Sequence, residues 1–232
     1  MAKKKINDLD MKNWKQYEDI LTDSLWVMDK RDKSGNHKGD YHGNFIPQIP
    51  NQLLRRYTRE GEWILDPFLG SGTSLIECRR LNRNGIGIDI DQNILSIAKE
   101  RAISEPGSSS LEFLNGDSAS VDLSPILETN KINKVNMIIM HPPYWDIIKF
   151  NNCKGNIANT NTLDDFLNSF SCIVDNTTKY LEDERYIAIV IGDIYKNSEW
   201  IPLNSHITQL MLNKNFKLKS IVVKNINETK GK

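Results

Sequence analysis

Residues 63–89 read WILDPFLGSGTSLIECRRLNRNGIGID. An apolar run at 63–66 breaks off at Asp66-Pro67, passes through Gly70 and Gly72, and enters a stretch of helical spacing over roughly 73–82. A second apolar run, GIGID at 85–89, then closes on an acid. Strand, glycine turn, helix and strand in immediate succession are the start of a βαβ arrangement.

The same alternation continues outward from this stretch. Apolar runs LEFLNGD at 111–117, VNMIIMHPP at 135–143, YIAIVIGD at 186–193 and LKSIVV at 218–223 each end in polar or glycine turns. Helix-period stretches at about 91–104, 163–181 and 203–214 lie between them. Buried runs separated by helices imply a parallel sheet covered on both faces, so the expected fold is an open, doubly wound, mostly parallel α/β sheet. Before residue 63, Trp14, Tyr17, Ile20 and Leu21 stand at helical spacing and suggest a short amphipathic opening. The polar stretch KRDKSGNHKGDYHGN at 30–44 reads as a loop.

Composition narrows the class. The chain has 232 residues, 39% hydrophobic and 26% charged, which excludes a disordered or fibrous chain. No run of apolar residues is long enough for a membrane helix. The basic start MAKKKIND is followed by no apolar stretch, so a secretory signal is not expected. Cys78, Cys153 and Cys172 form no pair at metal or redox spacing; no metal site is expected, and a reducing, cytoplasmic setting fits. Thirty Lys+Arg balance thirty Asp+Glu. A nucleic-acid partner would therefore depend on local clusters, such as Arg55, Arg56 and Arg59, Arg79, Arg80 and Arg83, or the lysines from Lys214 onward. Each cluster taken singly also reads as a solvated surface.

Doubly wound sheets bind ligands at the carboxyl ends of their strands, where strand order reverses. The first such end is DPFLGSGT at 66–73. Gly70 and Gly72 let a ligand approach the backbone, and Ser71 or Thr73 can cap the following helix, whose amides attract a carboxylate. There is no GxGxxG, and no Lys-Ser/Thr follows the glycines, so NAD and ATP fit poorly. Asp89 can accept from both ribose hydroxyls, with Asp91 free to cap the next helix. Asp117 can take the amino group of an adenine. An adenosine cofactor carrying a carboxylate but no phosphates matches this set, and S-adenosylmethionine is such a molecule. At the fourth end, His141-Pro142-Pro143-Tyr144-Trp145 offers bare carbonyl acceptors and an aromatic face. A planar, amino-bearing ring suits it; a plain proline-rich turn is the alternative.

DPFLGSGT, GIGID and HPPY in this order resemble the S-adenosylmethionine-dependent DNA methyltransferases that modify exocyclic amino groups of adenine or cytosine. The resemblance spans roughly residues 40 to 223 and implies a Rossmann-like methyltransferase sheet. It implies cofactor contacts by Phe45, Asp66, Phe68, Gly70, Ser71, Gly72, Thr73, Asp89 and Asp117, with Phe45 on the methionine half. It implies a catalytic turn of His141, Pro142, Pro143 and Tyr144, acting on a DNA base flipped out of the duplex. The domains expected are an N-terminal helix and polar loop at 1–40 and a methyltransferase domain at 41–232, with a cofactor half at 41–117 and a catalytic half at 135–223.

Three departures from that family's pattern accompany the resemblance. His141 stands where the family carries Asp, Asn or Ser. Little room is left for a target-recognition region, and the sequence stops before the antiparallel strand that normally closes the sheet. A truncated chain, or completion by a second copy or a recognition subunit, is the corresponding expectation. DNA binding resting on Arg and Lys phosphate contacts should fall steeply with salt, and an ordinary histidine at 141 would titrate near 6.5. An RNA or other amino-group methyltransferase, or a non-catalytic cofactor- or DNA-binding subunit, would share much of this pattern.

Overall fold

The structure, a computed structural model, describes residues 5–41, 43–148 and 151–226. Its elements in chain order are β1 (Leu25–Met28), α1 (Gln48–Tyr57), β2 (Trp63–Asp66), α2 (Thr73–Arg80), β3 (Asn84–Asp89), α3 (Gln92–Ser104), β4 (Leu111–Asn115) and α4 (Ser124–Thr129). Then follow β5 (Val135–Met140), α5 (Leu163–Thr178), β6 (Leu181–Ile189), β7 (Ile194–Lys196), β8 (Glu199–Ile201), α6 (Leu203–Asn213) and β9 (Val223–Ile226).

Five strands form the central sheet in the order β4-β3-β2-β5-β6, every neighbouring pair parallel. The chain works outward from β2 to β4, returns to β5 beside β2, and then runs outward the other way. The reversal places a crevice at the carboxyl ends of β2 and β5. Alternate strand residues serve the two faces. Leu65, Ile138 and Met140 pack with Phe166, Phe170 and Val174 of α5, while Ile64, Met137 and Ile139 pack with Ile49 and Leu54 of α1 and Cys78 of α2. Burying each such side chain on folding is worth about 1.5–3 kcal/mol. Because both faces are covered, β2 and β5 read as unbroken apolar runs rather than alternating ones.

Local chemistry sets the helix starts. Asp91 caps α3, accepting from the Asn93 and Ile94 amides. Thr162 caps α5 by accepting from the Asp165 amide at 3.1 Å, while its hydroxyl donates to the Asp165 carboxylate at 2.7 Å.

Three expectations need correction. The opening segment is a short 3-10 helix, Met11–Tyr17, broken at Asn13, with Trp14 57% exposed, so no amphipathic α-helix forms there. The apolar run 218–223 is not a strand of the central sheet. Leu218 and Ile221 are exposed, and the strand begins only at Val223, where β9 pairs in parallel with β1. The arginine clusters are only partly solvated. Arg83 is buried against Asp8, Thr58 and the Leu81 carbonyl, and Arg79 binds the carbonyls of Glu105 and Ser109. Arg55 pairs with Asp19, Arg59 with Glu62, and Arg80 with Glu77. These guanidinium groups tie loops to helices.

The described residues of the polar segment 30–44, all but residue 42, form a loop, and it is firmly held. His37 and Asn51 both bind the buried Glu77 carboxylate at 2.7 Å, Arg31 holds the Phe45 carbonyl at 3.1 Å, and Arg101 holds Asp40 at 2.7 Å. This bracing carries the end of the loop over the glycine turn.

Candidate active site

A cleft of about 1630 Å³ opens across the carboxyl ends of the central strands and continues along β6. The glycine turn forms one wall. Gly70 and Gly72 sit in the left-handed region, at φ +53° and +92°. A Cβ on Gly72 would lie 3.1 Å from Ala98 of α3, and one on Gly70 would lie 3.1 Å from the Tyr41 ring. Glycine is needed at both places for conformation and for space. The expected cap by Ser71 or Thr73 is absent. Gly72 itself occupies the cap position without a side-chain bond, and the Ser71 hydroxyl instead donates to Asn44 at 2.6 Å. The start of α2 therefore keeps its amides clear of its own side chains, and Ser71 fastens the preceding loop to the turn.

Asp66 is wholly buried beneath this turn. Its carboxyl accepts from the Phe68 amide at 2.9 Å and from the Ser74 hydroxyl. Burial pushes its pKa up to about 7, the Asp89 charge adding to the effect. Asp66 thus shapes the turn from below, and does not line the cleft. Phe68 lines the cleft and stacks towards Phe170 of α5, with ring centroids 6.2 Å apart. Thr73 is buried as the first residue of α2.

Asp89 and Asp117 both reach the cleft, at the ends of neighbouring strands. Asp89 accepts from the amides of Gly70 and Asp91, each at 2.8 Å, so the acid and the glycine turn are one hydrogen-bonded unit. Burial raises its pKa, and the two backbone donors work against that. Asp117 accepts from the Ala119 amide at 2.9 Å, which fixes its carboxylate, and Ser118 ties this strand end to the Pro67 carbonyl at 2.7 Å. Two residues of the segment around Phe45, expected there only as its neighbours and not by name, join them. Tyr41 packs on Gly70, and burial together with the charges of Asp89 and Asp91 lifts its phenol to about 12. Asn44 holds Ser71. The signal available was their place just before Phe45, in a segment whose rigidity the sequence does not display.

The second wall is the turn after β5. Phe45, 9% exposed, packs against the His141 ring with centroids 4.8 Å apart. His141 Nε2 lies 3.2 Å from the Tyr144 hydroxyl, and the two rings meet edge to face. Burial, reinforced by the Lys224 ammonium, lowers the His141 pKa to about 4, so the imidazole is neutral across the ordinary pH range. The value of 6.5 expected from the sequence is corrected accordingly. Pro142 is buried, and Pro143 and Tyr144 line the cleft. A Cβ on Gly192 would come within 2.8 Å of the Tyr144 ring, so the end of the β6 region backs directly onto that aromatic. Trp145 takes a left-handed φ of +49°, a conformation uncommon for a bulky residue, and it closes the turn.

The site residues expected from the sequence thus lie in the segment before α1, the glycine turn, the strand ends and the proline turn; Asp66, Ser71, Gly72 and Thr73 are buried beneath the cleft surface, and the others line it. The family model described as "DNA methylase" matches residues 2–100. The chain resembles the amino-methylating DNA methyltransferases. Type II methyltransferase M2.DpnII of Streptococcus pneumoniae is 38% identical over 106 residues, covering 44% of this chain and 34% of that protein. Type II methyltransferase M.HpaI of Haemophilus parainfluenzae is 54% identical over 62 residues, covering 25% of this chain and 20% of that protein. The aligned part of the chain thus spans about a third or less of the length of these relatives. Among solved structures, a methyltransferase from Thiobacillus denitrificans bound to S-adenosylhomocysteine aligns with 21% identity and a TM-score of 0.43, over 70% of this chain and 56% of that one.

Proposed function

We propose that the chain binds S-adenosylmethionine across the glycine turn, Asp89 and Asp117, and directs its methyl group to the exocyclic amino group of adenine or cytosine in DNA. The observation that carries this reading is the arrangement of the two walls. A cradle of two left-handed glycines linked to a strand-end acid faces a half-buried His-Pro-Pro-Tyr turn across one cleft.

The residues present fit the cofactor. The amides at the start of α2 and the Gly70–Gly72 backbone suit its carboxylate, Asp89 its ribose hydroxyls, and Asp117 its adenine amino group. When bound, the cofactor supplies a methyl group on a positively charged sulfur, an excellent leaving group. The protein's task is then largely positioning. An aromatic amine is a weak nucleophile because its lone pair is delocalised into the ring. Acceptors that hold its two protons let the nitrogen pyramidalise and expose that pair. The Pro142 carbonyl serves as one acceptor. In the neutral tautomer whose Nε2 donates to the Tyr144 hydroxyl, His141 presents Nδ1 as the other. Tyr144 gives the base a face to stack on, as a flipped base requires. Beside this turn, β7 and β8 set Tyr195 and Trp200 directly opposite one another, 68% and 62% exposed, and these aromatic faces favour a nucleic-acid partner.

The test is transfer of labelled methyl to duplex DNA, RNA and a nucleic-acid-free control. Incorporation into the amino groups of DNA alone is the expected result. Incorporation into RNA only, or cofactor binding without any transfer, would replace this reading.

A further inference from the structure

Residues 151–160, ahead of α5, cross back over the cofactor half, and this crossing makes contacts that neither wall requires. Asn151 donates from Nδ2 to Asp91 at 3.1 Å, and Asp91 caps the helix after the ribose acid. The side chains of Asn156 and Asn159 both donate to the Asn151 carbonyl, at 3.3 and 2.8 Å, folding the strap into a closed knot. At its crest, Gly155 takes φ +91° and lies so close to the cleft floor that a Cβ there would stand 2.6 Å from the Asp117 carboxylate and 3.2 Å from Ile90. Ile157 and Ala158 then plunge into the core. The far end is pinned by the Trp145 indole, which donates to the Thr160 carbonyl at 3.2 Å.

We infer that residues 151–160 form the roof of the adenosine end of the cofactor site, with Asn151 and Gly155 as positioning residues, and that Trp145 locks this roof to the target-base turn. The inference rests on the reading that S-adenosylmethionine occupies the cleft. The strap reaches Asp91 and Asp117, beyond the ends of β3 and β4, so its effect falls on the adenosine end. Trp145 does not line the cleft, yet its ring nitrogen holds the strap down. Cofactor affinity therefore depends on a residue of the catalytic turn that the cofactor does not touch.

Calorimetry with S-adenosylhomocysteine and with adenosine alone tests this. Trp145→Phe keeps the ring and removes the donor, and Asn151→Ala removes the tie to Asp91. Each should weaken both ligands by the same factor, about tenfold, and speed their release, while thermal melting of the unliganded protein stays near that of the wild type. Asn151→Gln, which restores a donor, should recover part of the loss. Unchanged affinity in both variants would overturn the inference, as would a loss for S-adenosylhomocysteine without a loss for adenosine. Should Trp145→Phe fold poorly, Asn151→Ala and its Gln counterpart decide the matter alone. Failure of the underlying reading looks different, because the wild-type chain itself would then bind neither ligand.

Discussion

At His141 the packing of Phe45 above and Tyr144 beside the ring removes water, and the Lys224 ammonium adds repulsion, so the imidazolium is doubly disfavoured. A histidine that must accept a proton-bearing amino group works only when neutral. With its pKa lowered to about 4, single-turnover rates should stay flat from neutral pH down to about 5 and fall only towards 4. An acid limb near 6.5 would mean that the working histidine is solvated, contrary to its packing. His141→Asn retains an acceptor that does not titrate and should keep measurable activity with no such limb. His141→Leu should cost about 2–4 kcal/mol in the chemical step, the scale of one lost transition-state hydrogen bond. A leucine variant as fast as the wild type would leave the chemistry to Pro142 and Tyr144. The neighbouring acid is tested by binding. Asp89→Ala should weaken S-adenosylmethionine by roughly 1.5–3 kcal/mol, as for hydrogen bonds to a charged group, and unchanged calorimetric affinity would remove Asp89 from the site.

The turn from β2 into α2 is the element on which the site depends, and its support is a buried carboxyl. Asp66 in the folded state holds its proton up to about pH 7, against 3.8 for an ordinary aspartate. The folded chain therefore binds more protons than the unfolded one between those values, and stability falls as pH rises through that window. The loss is roughly 4 kcal/mol at most, at about 1.4 kcal/mol per pH unit. Asp66→Asn cannot ionise and still offers an oxygen to the Phe68 amide. Urea unfolding should find it equal to the wild type near pH 4 and more stable at pH 8. His141 titrates alike in both proteins and cancels from the comparison. An asparagine variant equally destabilised at both values would show that Ser74 needs the carboxyl itself. This element was also the most legible in the sequence. WILD, the glycines and Asp89 lie within one local unit, so spacing alone placed them. Trp145, Asn151 and Gly155 were not legible as a group, because their meeting with Asp91 and Asp117 depends on a chain crossing that no local period encodes. The β1–β9 pair was missed for the same reason: its partners lie at opposite ends of the sequence, and neither run is long enough to announce itself.

At the scale of the whole molecule, the arginine clusters among the described residues are largely paired within the chain. Net charge is zero, and Arg55, Arg59, Arg79, Arg80 and Arg83 are all engaged with carboxylates or carbonyls of their own chain. Lys196 pairs with Asp146 and Lys214 with Asp175. Lys217 and Lys219 remain exposed near the lower end of the cleft. A steep salt dependence, the expectation from counting basic residues, needs many phosphate contacts, since each contributes about 0.9 to the slope of log K against log salt on duplex DNA. Beside the cleft, Lys217 and Lys219 supply about two such contacts, so the slope for binding there should be shallow, about −2. Binding should instead lean on the aromatic faces of Tyr195 and Trp200, where stacking is worth about 1–3 kcal/mol per base and is indifferent to salt. Affinity for an oligonucleotide with one unpaired base, titrated between 50 and 200 mM salt (roughly the span over which a protein with six or more phosphate contacts loses about a thousandfold), separates the two cases. A loss of that size would mean that lysines elsewhere on the surface, or arginines released from their internal partners, also meet the phosphates. A loss of about tenfold, together with a drop in affinity for Trp200→Ala at every salt concentration, is the outcome this distribution of charge and aromatic surface calls for.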